Sequence, residues 1–129
     1  MATGEVPTEQ PYIHRLTRLG VAASAAGKGL PFLAEVSAMI FGGVRDWHLG
    51  EHIAGAARRA GLDLKKLDSE IERDPKRYEA AIAENESAQK RAGHWGVPLM
   101  VFNGEPFFGQ DRFDLMRWRM DRNGLTRRR

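Results

Sequence analysis

Residues 94–112 read HWGVPLMVFNGEPFFGQDR, and the fold turns on how this stretch is understood. Two short apolar runs, PLMVF and EPFF, flank Asn103-Gly104. Those two residues tolerate positive φ and form a two-residue hairpin loop, so a β-hairpin is expected here. Pro106 has no amide hydrogen to donate, so its strand lies at a sheet edge. A last helix starts near Asp111, carries Phe113, Met116 and Met120 on one side, and ends at Gly124. The entrance to the hairpin is unusual. Gly96-Val97-Pro98 places a proline directly before the strand, restricting Val97 and removing a ladder donor. Two readings of this corner stand at this level. One is an ordinary turn that holds a proline. The other is a cis-proline corner that leaves the backbone N–H and C=O of Val97 open to an extended, peptide-like ligand.

Upstream of the corner the grammar is helical. Tyr12, Leu16, Leu19, Ala23 and Ala26 recur at three- and four-residue spacing, and GKGLP stops that run. Pro31 suits the first position of a second helix with an apolar stripe of Phe32, Leu33, Val36 and Ile40, ended by Gly42-Gly43. Asp46 is the expected N-cap of a third, on which Leu49, Ile53, Ala56, Ala57 and Ala60 share a face before Gly61. Asp63 caps a short fourth helix with Leu64, Leu67 and Ile71 inward. Asp74-Pro75 opens a long polar helix that runs to Gly93, with Tyr78, Ile82, Asn85 and Ala92 roughly on one face.

Composition excludes several chemistries. The chain has 129 residues, enough for one domain with a real core, and no cysteine. A disulfide framework, a thiolate metal site and a thiol nucleophile are therefore ruled out within it. The first ten residues carry neither the basic nor the apolar region of a signal peptide, and no run reaches the length of a membrane span, so a cytoplasmic location without membrane contact is expected. The net charge of +3 is mild, but residues 112–129 concentrate seven arginines against two aspartates. Such a terminal run is ordinarily solvated, and no aromatic-basic motif accompanies it, so nucleic-acid binding is not expected.

Other constellations are weaker. GVAASAAGKG fails as a phosphate loop, because six residues separate Gly20 from Gly27-Lys28 and no Ser or Thr follows the lysine. His48 and His52, four apart, could share a metal on one helix only with a third ligand from elsewhere, and no metal site is expected. Glu79, Glu84 and Glu86 interleave with Lys76, Arg77, Lys90 and Arg91 as on a solvent face. None of Ser24, Ser37, Ser69 or Ser87 sits on a strand-to-helix elbow.

Taken together, Gly-Val-Pro, LMVFNGEPFFGQDR, the preceding AENESAQKRAGHW, and GKGLPFLAEVSAMIFGGVRD with AGLD resemble the DsbA-like branch of the thioredoxin superfamily. The resemblance is to the C-terminal part of the 2-hydroxychromene-2-carboxylate isomerases and kappa-class glutathione transferases, and it covers about residues 15 to 122. It implies that Pro98 is the cis-proline and that Val97 pairs its backbone with the cysteinyl part of glutathione. It also places Gln110 and Asp111 at the γ-glutamyl end, a role that competes with Asp111 merely capping the last helix. The family's opening strand–helix–strand unit, with its catalytic serine or cysteine, has no counterpart in MATGEVPTEQPY. No catalytic residue is therefore assigned.

The expected fold is α+β and mostly helical: a DsbA-like helical subdomain plus an incomplete thioredoxin-like β-hairpin and C-terminal helix. It divides into a flexible arm (1–10), the helical subdomain (11–93), the hairpin and last helix (94–124) and a basic tail (125–129). The resemblance implies the C-terminal portion of a glutathione-dependent isomerase or thiol oxidoreductase, inactive alone, acting on a small aromatic substrate. The alternative is a non-enzymatic helical interaction module whose basic tail meets an acidic partner. An unpaired sheet edge leads us to expect a homodimer joined at least partly through residues 98–103.

Overall fold

A computed structural model describes residues 11–94 and 96–128. The arm expected at residues 1–10 and the last residue of the tail lie outside the described residues. Six helices and one two-stranded sheet follow in the order α1 (Pro11–Ala25), α2 (Gly29–Phe41), α3 (His52–Arg59), α4 (Leu64–Arg73), α5 (Pro75–Arg91), β1 (Leu99–Phe102), β2 (Glu105–Phe108) and α6 (Phe113–Arg122). A 3-10 turn, Gln110–Arg112, leads into α6. The chain separates into two compact units, residues 1–82 and 83–129.

The first unit is built on one apolar cluster. Leu19, Ala22 and Ala23 of α1, Phe32, Val36 and Met39 of α2, Ile53, Ala56 and Ala57 of α3, Leu67 of α4 and Tyr78 of α5 are buried together with Trp47 and Ala60. Among the described residues α1 packs on α2 and α4, and α3 packs on α2 and α4. The paired alanines have no side chain beyond Cβ, which lets helices approach closely and fill the interior without voids. Ion pairs tie the surface: Arg15 to Asp68 at 2.9 Å, Arg18 to Glu79 at 2.9 Å and Arg59 to Glu35 at 2.7 Å. All are partly solvated, so each contributes at most about 1 kcal/mol.

Several helix boundaries agree with their local chemistry. Asp63 accepts the Lys65 N–H at 3.0 Å and caps α4. Asp74 accepts the Arg77 N–H at 3.3 Å at the start of α5, satisfying a donor that the helix itself leaves open. Others differ from expectation. Asp46 does not cap a helix: it sits at φ +48° in a run of turns, and α3 begins only at His52 after Glu51. Leu49 is consequently outside the helix and exposed, while Trp47, in the same turns, is 3% exposed and occupies the core. Pro31 is the third residue of α2 rather than its first, a position still within the first turn, where no intrahelical donor is needed. Leu33 and Ala26 face solvent, and Met39 and Ala22 fill the places expected of them.

In the second unit β1 and β2 pair antiparallel with Leu99 opposite Phe108, Met100 opposite Phe107, Val101 opposite Pro106 and Phe102 opposite Glu105. Asn103 at φ +50° and Gly104 at φ +78° make the two-residue loop, a pairing that matches strand twist. One face of the hairpin carries Phe107, 3% exposed, and Glu105. Arg119 of α6 meets that Glu105: Nη2 donates to Oε1 at 3.1 Å, and Nε lies 3.0 Å from Oε2 as an ion pair without hydrogen-bond alignment. Phe113, expected inward on α6, is the first residue of that helix after the 3-10 turn and is about half exposed.

Candidate functional site

The corner at residues 96–98 is held from both sides. The N–H of Gly96 donates to His94 Nδ1 at 2.8 Å, and its C=O accepts from Gln89 Nε2, on α5, at 2.9 Å. The His94 ring stacks on Phe108 with centroids 3.8 Å apart and an interplanar angle of 11°. Gly96 is buried against both rings, and a Cβ there would overlap the Phe108 ring and lie 2.9 Å from His94 Cε1. Only glycine fits between them. A satisfied, enclosed Gly96 fixes where the next residue must begin.

The Val97–Pro98 peptide bond is cis. Val97 is 78% exposed, and its backbone N–H and C=O make no hydrogen bond among the described residues. The ladder resumes immediately after it: Pro98 C=O accepts from Gly109 N–H at 3.0 Å, and the strand begins at Leu99. A backbone donor and acceptor are thereby presented at the end of a sheet, the arrangement that an extended peptide can pair with.

The same Pro98–Gly109 hydrogen bond brings the second half of the expected site to the corner. Gln110 and Asp111 follow Gly109 in the 3-10 turn, both exposed. Gly109 adopts φ +90° and ψ +151°, a region open essentially to glycine, and a Cβ on it would lie 2.5 Å from Asp111 Oδ1. The expectation that Asp111 caps the last helix does not hold. The residue lies inside the turn, its carboxylate accepts no backbone N–H, and it has no ion-pair partner among the described residues. A carboxylate and a peptide group that both lack partners among the described residues, linked through the Pro98–Gly109 hydrogen bond, are suited to an ammonium group and a peptide backbone respectively.

The other candidates do not assemble. His48 lies in the turns before α3, stacked on Tyr12 with centroids 3.9 Å apart, while His52 is exposed at the helix start, so the two do not share one helix face. No group of three or more metal-ligating side chains occurs among the described residues. Glu79 and Glu84 are ion-paired to Arg18 and Arg91 on the solvent side. No described helix is long and apolar enough to cross a membrane.

Sequence reasoning missed the supports of the corner. Gln89 reads as one more polar residue on a polar helix, and His94 as an imidazole without an assigned role. The only available signal was spacing: Gln89 precedes Gly96 by seven residues and lies in the last turn of α5.

The family model described as DSBA-like thioredoxin domain matches residues 7–121 of the chain. Neither the curated proteins nor the solved structures contain a significant match to it.

Proposed function

The chain belongs to the DSBA-like thioredoxin domain family, and from that membership we propose that Val97, Pro98, Gln110 and Asp111 form the peptide-binding half of a glutathione-dependent isomerase of the 2-hydroxychromene-2-carboxylate isomerase type, or of a related thiol oxidoreductase. The observation that carries this reading is the exposed Val97, whose backbone has no hydrogen-bond partner among the described residues, beside a fixed Gly96. The cysteinyl segment of glutathione pairs with Val97, its γ-glutamyl ammonium meets the Asp111 carboxylate, and Gln110 supplies further polar contacts.

The chain contains no cysteine, so the reacting thiol belongs to the bound tripeptide. In isomerisation that sulfur adds to the substrate, a bond rotates, and the same carbon–sulfur bond breaks again, with no net oxidation. Residues 94–112 include neither serine nor cysteine, so the group that activates the thiol is not part of this corner. Calorimetry with reduced glutathione tests the half-site. Saturable binding is expected, weakened roughly tenfold by Asp111→Ala through loss of a charge-assisted contact. Absence of heat with the wild-type chain overturns the reading.

The outer edge of β1 pairs with no strand among the described residues, and Val101 on it is about half exposed. Strand-to-strand pairing of two copies along residues 98–103 would satisfy that edge. Light scattering at micromolar concentration is expected to give a dimer mass, and a monomer mass contradicts it.

A second reading, a non-enzymatic module that meets an acidic partner through its basic end, is favoured by Trp118. That ring is about half exposed and flanked by Arg119 and Arg122, with guanidinium carbons 5.3 and 5.1 Å from its centroid. Salt-sensitive association that disappears on removal of residues 125–129 would support it.

A further inference from the structure

Within the first unit, a cleft of about 530 Å³ opens between the end of α1, α4 and the start of α5. Ala25, Ala26, Lys66, Glu70, Arg73 and Arg77 line it, together with Asp74 and Tyr78. The arginines that bind α1 to its neighbours are ion-paired, yet Lys66, Glu70, Arg73 and Arg77 form no ion pair among the described residues. Opposite charges share one concavity without neutralising one another.

The charges are also sorted by depth. Tyr78 is 5% exposed and Glu70 half-buried, whereas Lys66, Arg73 and Arg77 are exposed. The inner part therefore holds a carboxylate and a phenol, and the mouth holds three cations beside the exposed Asp74, whose carboxylate accepts the Arg77 N–H at the start of α5. The Tyr78 hydroxyl has no hydrogen-bond partner among the described residues, and it is not one of the sealed, unsatisfied atoms. It opens to solvent, and the cleft is the space it lines. α1 also ends at the cleft, with Ala25 and Ala26 exposed: Ala26, Gly27 and Lys28 N–H groups use the carbonyls of Ala22, Ser24 and Ala23, leaving those of Ala25 and Ala26 with no backbone donor among the described residues. A helix C-terminus with open carbonyls favours a cation.

We propose that this cleft binds a short zwitterionic peptide of two or three residues, its terminal ammonium directed to Glu70, Tyr78 and the end of α1, and its carboxylate held at the mouth by Arg73, Arg77 and Lys66. Ala25 and Ala26 leave room for small side chains. A simple anion would satisfy the mouth and leave the inner carboxylate unmatched. A simple amine would do the reverse. The volume lies in the range of small-ligand pockets and exceeds what a single ion fills. This site is independent of the glutathione reading at Val97, and the two fail separately.

Amide chemical-shift titration of the full chain with dialanine tests it. Saturable shifts are expected at residues 66–78. N-acetyl-dialanine and dialanine amide, each lacking one charge, are expected to bind at least about tenfold more weakly, as is dialanine to Glu70→Gln or Arg73→Gln, since each loses a charged contact. Both substitutions are near the surface, so unchanged melting curves verify folding, and Tyr78→Phe gives a second, isosteric check with a smaller loss. Asp111→Ala is expected to leave the titration unchanged. Absence of saturation, or binding of N-acetyl-dialanine or inorganic phosphate as tight as that of dialanine, overturns the proposal.

Discussion

The two units of this chain are held by different means. In the first, five helices converge on a continuous apolar cluster in which Leu19, Ala23, Ala56 and Ala57 have no exposed surface at all. In the second, Phe107 is the one large apolar side chain that is fully buried among the described residues, and order at the corner comes from a few directed contacts. Gln89 and His94 clamp Gly96, Gly109 ties to Pro98, and Arg119 meets Glu105. Apolar burial is non-directional and cumulative, whereas hydrogen bonds fix positions while contributing little net stability each. A core determines whether the chain folds, and the clamps determine where a backbone group points.

That contrast can be broken at graded cost. Phe32→Ala, deep in the first unit, is expected to destabilise the whole protein by about 3–5 kcal/mol in chemical denaturation. Phe107→Ala should cost less, about 2–3 kcal/mol, because the surroundings can collapse more readily, and hydrogen exchange should show the loss confined to residues 83–128. A uniform loss of protection in both units would contradict the division. Gly109→Ala forces a β-carbon into a glycine-only conformation against Asp111, at about 1–3 kcal/mol. Exchange of the Gly109 amide, bonded to Pro98, should accelerate most. Gln89→Ala removes the side-chain bond to the Gly96 carbonyl, at about 1 kcal/mol, with faster exchange at residues 96–99 and no change in α1 to α4. Arg119→Ala, whose ion pair is partly solvated, should shift stability by less than about 1 kcal/mol.

The helical unit was largely legible because its signals are local. Asp63 and Asp74-Pro75 announce their helices within four residues, and the spacing of Phe32 and Val36 or of Ile53, Ala56 and Ala57 gives the inner faces directly. Trp47 was missed for the complementary reason: it enters the core from turns, where no periodicity exists to be read. Asp46 looked like a cap because it is a good capping residue type, but Asp also tolerates positive φ, and here that second property decides. The hairpin followed from Asn103-Gly104 alone. The placement of Gln110 and Asp111 near the corner is less local. It depends on the strand register and the Pro98–Gly109 bond, and it entered the sequence reading through family resemblance rather than through spacing. Gln89 and His94 could not be anticipated, since a clamp is recognised only when its two sides are seen together.

The exposed backbone of Val97 is reached most directly through its own amide resonance during titration with reduced glutathione. A saturable downfield shift of the Val97 N–H is expected, accompanied by Gln110 and Asp111 and strongly reduced in Asp111→Ala. A Val97 resonance that stays fixed at saturating glutathione, or shifts only at residues 66–78, would contradict it.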